Sequence, residues 1–385
     1  HVIVYKSMGY YQVRKHVEIS NSNLQIDVVI KEQPVALKAV VITPGKEDPA
    51  YAIMRKVIGL APYHLNQVSE YQAEVYLRGT LHIVKMPKFI SKHAVVSVNN
   101  KEYHLKSGDA FIEESVNRIH FQAPDHYNQE VMSFRSTFPW NNKDIDPLGL
   151  VSSSLYDNEV EGFISPLSPR AFSYYSYRYE GFFEEGGRVI FKIKVTPKRN
   201  SQQLMRGYLF IVDRLWCLHS ADMAMEMFFG KMNVRIIYAS VQHGAWLPVS
   251  HQFVVEASMM GVNATYKYTS SEKFNRVVLN RVNASVPAKV HEPENKLEPV
   301  ISDQTEEKKT KKQLEIEKLM EKEVLSNRDM VKLATLMDKE ASADTTDQKS
   351  LEIKESNRKL TVDKNALRND TTFWNTVRPI PLSAI

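Results

Sequence analysis

The sequence predicts a mainly β protein with a few helices, and three observations lead to that fold class. Apolar and polar residues alternate with a period of two through residues 71–86 and 186–257, as in half-buried strands. Turn signals such as Gly186-Gly187 separate the strands of the second stretch, which is typical of an antiparallel meander. Helical periodicity is confined to residues 49–62 and 311–342.

The first 44 residues predict a partial β-sandwich. Valine, isoleucine and leucine alternate with polar residues in short stretches, and Asn21-Ser22-Asn23 is a turn signal between two of them. This density of short strands is that of a β-sandwich, but the usual opening strands are missing. We therefore assign residues 1–44 to an incomplete sandwich domain.

Residues 45–290 form the predicted central α+β domain. Asp48 is a favourable N-cap and Pro49 suits the first helical position, so we expect a helix that begins there and ends at Pro62. The long, closely spaced strands that follow predict an antiparallel sheet with the shape of a half-barrel. Two prolines in residues 162–183 predict a loop or the entry to a helix there, and not a central strand.

Residues 291–385 are predicted to be a charged helical linker. Glutamate, lysine and proline dominate residues 291–312, a composition that does not support a packed core. Apolar residues then recur at helical spacing through residues 311–342. This helix either docks on its own domain or binds a partner, and the sequence favours neither alternative.

The composition bounds the function. The 50 basic and 45 acidic residues give a formal net charge of +5, a balance that does not indicate nucleic-acid binding. The single cysteine, Cys217, excludes an intramolecular disulfide and a cysteine-based zinc site, and its apolar neighbours predict a packed core thiol. The sequence contains no apolar run long enough for a transmembrane helix, which needs about 18 residues.

The sequence contains no recognisable catalytic motif, neither a zinc-protease helix, a phosphate-binding loop, a nucleophile elbow nor a dinucleotide fingerprint. Glu113 and Glu114 are adjacent on a predicted strand and so face opposite sides of it, which excludes an acid/base pair. His104, His120 and His126 are expected to be separate strand or loop residues. We therefore expect no enzyme, no metal and no cofactor.

Three passages carry a resemblance to a known family. They are VIKEQPVALKAVVIT with EDPAYAIMRKVIG, FISPLSPRAFSYYSYRYEG with KIKVTPKR, and DTTFWNTVRPIPLS. In the last passage Trp374, Arg378, Pro379 and Pro381 match the family pattern. Together these passages resemble outer-membrane proteins of unknown function with an N-terminal carboxypeptidase-regulatory-like domain. The resemblance implies that the last passage is the junction with a C-terminal outer-membrane β-barrel and that this chain lies on the periplasmic side.

The central meander, residues 186–270, is also similar to the open half-barrel of periplasmic lipoprotein carriers. The shared features include a strand that ends in Val-Thr-Pro-Lys at residues 195–198, and the Trp-Leu-Pro motif at residues 246–248. This likeness implies a concave face that binds a lipid or an extended peptide. The candidate binding residues are four aromatic residues, Trp216, Trp246, Tyr174 and Tyr177.

The sequence thus predicts a non-catalytic periplasmic scaffold or binding module of an outer-membrane protein, engaged in envelope assembly or transport. The first alternative is a lipid- or lipoprotein-binding domain resembling a carrier, which an open apolar cavity beneath the sheet would favour. The second alternative is a hydrolase, which needs a cluster of histidine, acid and serine residues or three metal ligands. The expected partners are the outer-membrane barrel of the same polypeptide and lipids, lipoproteins or envelope proteins, but not nucleic acid.

Overall fold

A computed structural model gives the architecture of the chain. The structure describes residues 2–5, 13–18, 26, 28–31, 47–98, 101–138, 152–280, 310–341, 358–367 and 371–378. Most of the predicted sandwich, residues 1–44, lies outside these ranges, and the division of the chain into three domains stays a prediction.

The strands are, in chain order, β1 (Val2–Tyr5), β2 (Val13–His16), β3 (Val68–Lys85), β4 (Val95–Val98), β5 (Lys101–His104), β6 (Ala110–Gln122), β7 (His126–Ser136), β8 (Glu159–Val160), β9 (Phe163–Ile164), β10 (Tyr175–Glu185), β11 (Arg188–Pro197), β12 (Met205–Val212), β13 (Cys217–Met227), β14 (Gly230–Ser240), β15 (Trp246–Met259), β16 (Val262–Leu279) and β17 (Arg358–Val362). The α-helices are α1 (Pro49–Leu65), α2 (Lys88–Ser91), α3 (Ala171–Tyr174), α4 (Lys311–Met320), α5 (Asn327–Ala341) and α6 (Thr371–Val377), and a 3₁₀ turn spans Gln242–Gly244.

One sheet of eleven strands dominates the fold, in the order β10-β11-β12-β13-β14-β15-β16-β3-β6-β7-β17. Strands β10 to β16 are successive antiparallel neighbours, and β16 then pairs with β3. The one parallel pair of this sheet is β17 beside β7. The predicted fold class, mainly β with an open antiparallel sheet and few helices, is confirmed.

Helix α1 covers one face of this sheet, which we call the helix face. Met54, Val57 and Ile58 of α1 are fully buried in one hydrophobic core with strand residues such as Ala73 and Val75 of β3. Because strand side chains alternate in direction, Tyr76, the residue after Val75, belongs to the opposite, outer face. Cys217 is fully buried in the same core, as its neighbours predict.

Helix α1 begins where the sequence predicts but runs past Pro62 to Leu65. A proline inside a helix removes one backbone donor, so the predicted end at Pro62 was reasonable but wrong. The last turn is held because the backbone and side-chain N–H groups of Asn66 both donate to the Pro62 carbonyl, at 3.1 and 2.8 Å. Tyr63 and His64 in that turn are also buried.

Asp48 both caps α1 and joins it to the sheet. Its Oδ1 accepts the backbone N–H of Ala50 at 2.9 Å and that of Tyr179 in β10 at 3.0 Å. We expect Asp48→Ala to lower the free energy of unfolding by about 2 kcal/mol, since it removes a helix cap and leaves a strand donor unpaired. Urea denaturation measures this, and Asp48→Asn, which keeps the acceptor, should lose less than half as much. Equal losses in the two variants would contradict the capping role.

The helical stretch of the predicted linker docks on α1, which decides between the two alternatives that the sequence leaves open. It forms two helices, α4 and α5, with a break over residues 321–326. Their buried side chains form a core with α1 that contains Leu60, Tyr63, Ile316, Leu319, Leu325, Leu333 and Met337. Gly59 allows this approach, because a Cβ there would lie 3.0 Å from the Leu333 side chain.

The block of residues 162–183 is only partly the predicted loop or helix entry. Its middle contains the short helix α3, but Tyr175 onward forms β10, at the end of the strand order. The two prolines precede this strand, so they do not interrupt its hydrogen bonds. Among the residues that the structure describes, no helix is long and apolar enough to cross a bilayer.

Candidate functional site

A cavity of about 620 Å³ lies on the helix face of the sheet, beside the end of α1. Side chains from β3, β6, β7, β14, β15 and β16 line it, together with residues 123–125 and the segment 152–157. His64 and Leu65 close it from α1, and Asp338 reaches it from α5. A volume of this order is typical of pockets that hold small molecules.

Four aromatic side chains form one wall of the cavity, which we call the aromatic wall: Tyr71, Phe121, Tyr127 and Phe274. The ring of Tyr71 lies 4.9 Å from that of Phe121 and 5.2 Å from that of Phe274, and the Phe121 and Tyr127 rings are 4.9 Å apart. They meet because β16, β3, β6 and β7 are successive neighbours in the sheet. Ala73 also lines the cavity, and its short side chain leaves space beside the rings.

The charged groups of the cavity are acidic. Asp125, Asp157, Glu272 and Asp338 line it, while none of the described lining residues is lysine or arginine. Burial lowers the pKa of His64 to about 3, so His64 adds no positive charge at neutral pH. The cavity is therefore electrostatically suited to a neutral or cationic group and unsuited to an anion.

A buried polar cluster holds Glu272 in the cavity wall. The Nδ1 atom of His251 lies 2.7 Å from Glu272 Oε1 and 3.1 Å from Ser270 Oγ. A nucleophilic triad needs the serine and the acid on different ring nitrogens, because the ring must take a proton from one side while the acid orients the other. Here both contact the same nitrogen, and Nε2 is buried without a hydrogen-bond partner among the residues that the structure describes. The cluster does not have the geometry of a triad.

Glu113 and Glu114 lie on opposite faces of β6, as strand alternation predicts. Glu113 is on the helix face, where it accepts a hydrogen bond from the Tyr266 hydroxyl at 3.4 Å and burial raises the pKa of its carboxyl. Glu114 is on the outer face and contacts Arg378. The described residues contain no group of three or more histidine, cysteine, aspartate or glutamate side chains placed to hold a metal ion.

Of the four candidate binding residues, Trp246 lines the cavity. Its backbone N–H donates to the Gln67 side-chain carbonyl at 3.0 Å, which fixes the start of β15 beside the end of α1. Its indole Nε1 is buried and has no hydrogen-bond partner in the described part of the chain. Trp246 is therefore the candidate that the structure brings to the site.

The other three candidates lie elsewhere. Trp216 stacks on Phe191, with ring centroids 6.4 Å apart, and Lys56 lies over its ring. Tyr177 is buried and donates its hydroxyl to the Pro166 carbonyl at 2.6 Å. Tyr174 lies at the end of α3 beneath the guanidinium of Arg199.

Of the four junction residues, Trp374 is buried and Arg378 contacts Glu114 of the sheet. Pro379 and Pro381 lie outside the described residues. Trp374, in α6, is almost fully buried. The Arg378 guanidinium donates to both carboxylate oxygens of Glu114 at 2.8 and 2.5 Å, and both side chains are at most 4% exposed. Tyr76 donates its hydroxyl to the same carboxylate, and Arg78 lies 3.2 Å from it. We call these four polar residues the junction clasp: Tyr76, Arg78, Glu114 and Arg378.

The sequence did not single out the aromatic wall or Glu272. The signal was present in part, because Tyr71 begins the alternating stretch of residues 71–86. Which aromatic residues become neighbours depends on the pairing of β3 with β16 and β6, and no local pattern reveals that pairing.

The fold and the site together define a protein with a large open sheet, one long helix on its face and a cavity of ligand size. The chain belongs to the family of unknown function DUF5686, whose family model matches residues 53–274, more than half of its length. No curated protein matches the chain.

Solved structures show distant likeness. A DUF1329 family protein from Desulfovibrio piger is 9% identical with a TM-score of 0.23, over 60% of this chain and 94% of that chain. A LolA superfamily protein from Nitrosomonas europaea is 11% identical with a TM-score of 0.21, over 62% and 97%. An outer membrane lipoprotein-sorting protein domain from Vibrio parahaemolyticus is 7% identical with a TM-score of 0.22, over 58% and 93%.

Proposed function

We propose that this chain is a non-catalytic binding protein of the cell envelope that holds the apolar part of a lipid or a lipid-modified protein. The cavity of about 620 Å³ with its aromatic wall carries this proposal. It favours the binding alternative over a pure scaffold, because a scaffold has no need of a ligand-sized space in its core. The site is built from several strands, which is a rigid support for a binding pocket.

The apolar part of the ligand lies against the aromatic wall and Ala73. Each methylene group moved from water to such a surface contributes about 0.8 kcal/mol, so a chain of several carbons gains substantial affinity. The polar end of the ligand meets Asp125, Asp157 and Glu272. These carboxylates repel the negative charge of a free fatty acid or a phosphate, whereas a neutral or cationic end is compatible with them.

The test uses three ligands with the same twelve-carbon chain: dodecyltrimethylammonium, 1-monolauroylglycerol and laurate. Isothermal titration calorimetry on the full chain, below each critical micelle concentration, should show that laurate binds about tenfold or more weakly than the other two. The cation gains additional affinity from the aromatic wall. Absence of binding by all three ligands would overturn the proposed function.

A matched pair of variants places the binding in the cavity. Ala73→Phe adds a ring beside the aromatic wall and should weaken binding of 1-monolauroylglycerol by about tenfold or more, because it fills the space. Ala224→Phe makes the same change on β13, at a position that alternates with the helix-face residue Met223, and should bind normally. A loss of equal size in Ala224→Phe would contradict binding in the cavity.

We also propose the location that the sequence resemblance implies, the periplasmic side of the outer membrane, with a barrel of the same polypeptide as partner. The docking of Trp374 and Arg378 supports this, because the segment expected to lead to the barrel is fixed to the sheet. Separation of inner and outer membranes from cells that produce the full-length protein tests it. Recovery in the inner membrane or the cytoplasm would refute this location.

A further inference from the structure

Six exposed apolar side chains gather at one end of the sheet, at the tips of three neighbouring elements. We call them the tip patch: Val84, Phe89, Phe228, Phe229, Met259 and Met260. Phe228 is 87% exposed, Met260 79% and Phe89 67%. Monomeric proteins rarely expose large apolar side chains as a contiguous group unless the group contacts a partner or a membrane.

The three tips touch one another. The backbone N–H of Ser258, next to Met259, donates to the Phe229 carbonyl at 2.7 Å, which joins the β13–β14 turn to the β15–β16 turn. A Cβ at Gly261 would lie 3.1 Å from Pro87, which precedes α2 and Phe89. The tip patch is therefore one surface.

Positive charge borders the tip patch. Residues 84–93 contain Lys85, Lys88 and Lys92 and no acidic residue. On the neighbouring turns, Glu226 pairs with Arg206 at 3.2 Å and Glu256 lies opposite Lys231 in the strand register. The acidic groups nearby are thus compensated, and the three lysines of residues 84–93 leave the border cationic.

We propose that the tip patch docks on the surface of a lipid bilayer that contains anionic lipid. Its two most exposed side chains, Phe228 and Met260, project from turns. Side chains placed in this way can enter a fluid interface that offers no complementary rigid surface. Apolar side chains inserted among the headgroups, with lysines around them, are the combination that holds proteins on anionic membranes. Lysine stems reach along apolar surface while the ammonium groups contact phosphates.

This proposal is independent of the ligand cavity. Trp246 at the start of β15 lines the cavity, and Met259 at the end of the same strand belongs to the tip patch. At about 3.3 Å per residue, the 14-residue strand separates Trp246 from Met259 by roughly 40 Å, and on β3 the nine positions from Val75 in the cavity to Val84 in the tip patch span roughly 30 Å. Ala73→Phe should therefore bind vesicles as the wild-type chain does.

The test is flotation of the full chain with vesicles of phosphatidylcholine alone and with vesicles in which about a third of the lipid is phosphatidylglycerol. We expect binding to the anionic vesicles that weakens as salt is added. The double variant Phe228→Ser/Met260→Ser should partition about tenfold more weakly, since two apolar side chains no longer enter the interface. The control Leu367→Ser removes a side chain that is 76% exposed at another place and should bind normally.

A second pair of variants tests the charge. Lys88→Glu/Lys92→Glu should lose the preference for anionic vesicles, while Lys311→Glu/Lys318→Glu on α4 should keep it. Circular dichroism confirms that each variant is folded. The proposal is overturned if the wild-type chain floats with neither vesicle, or if Leu367→Ser loses as much as the double variant. It is also overturned if the wild-type chain ignores vesicles and forms a dimer that the double variant cannot form.

Discussion

Replacing Arg378 with methionine is expected to lower the free energy of unfolding by about 3 kcal/mol. The change leaves the Glu114 carboxylate buried, with Arg78 at 3.2 Å as the nearest remaining cation. Breaking a buried ion pair from one side is costly, because the remaining charge has already lost its water and now also loses its closest ion-pair partner. Urea denaturation at neutral pH measures the loss. A midpoint equal to that of the wild-type chain would show that the junction clasp does not hold the segment.

The pH dependence of the same contact has a definite sign. Burial alone would raise the pKa of Glu114, but the hydrogen bonds from Arg378 and Tyr76 outweigh burial and lower that pKa. The stabilisation is therefore complete above the unfolded pKa of about 4.3 and is lost as the pH falls through the folded pKa. The double variant Glu114→Gln/Arg378→Met lacks this group. Its stability should approach that of the wild-type chain as the pH falls below about 4.

Leu333→Ala should lower the free energy of unfolding by about 3 kcal/mol, because it opens a cavity between α5 and α1. Leu333 is fully buried and packs against the space left by Gly59. Thermal or urea denaturation measures the loss. The control is Val331→Ala on the exposed side of the same helix, which should cost less than about 0.5 kcal/mol. Similar values for the two variants would mean that α5 is not part of the core.

Local sequence patterns correctly predicted those helices and strands whose signals lie within a few neighbouring residues. The start of α1 follows from the chemistry of Asp48 and Pro49, and period-two alternation gave β3 and the meander of β11 to β15. In these cases neighbouring residues provide the signal, so no knowledge of distant contacts is needed. Pro62 is a case where the local pattern fails. The helix continues past it because a cap and buried side chains stabilise the last turn, and these contacts exist only in the folded chain.

The remaining features depend on residues far apart in sequence. Strand β17 is short, and it becomes a strand by pairing Arg358 with Tyr127. Arg378 contacts Glu114 across 264 positions, and the sequence pointed to Arg378 only through a family resemblance. The cavity depends in the same way on strand register, and three of the four aromatic candidates chosen from the sequence lie away from it.

The position of β3 between β6 and β16 has a consequence for the order of folding. The partners of β3 on one side follow it closely along the chain, but β16 follows only after the whole meander. Until β16 is in place, one edge of β3 has no partner, and such an edge is a template for association with other chains. Contacts between distant residues also form slowly. The aromatic wall contains residues of both β3 and β16. The ligand site is therefore complete only when these two strands have paired, which is among the last steps in forming the sheet.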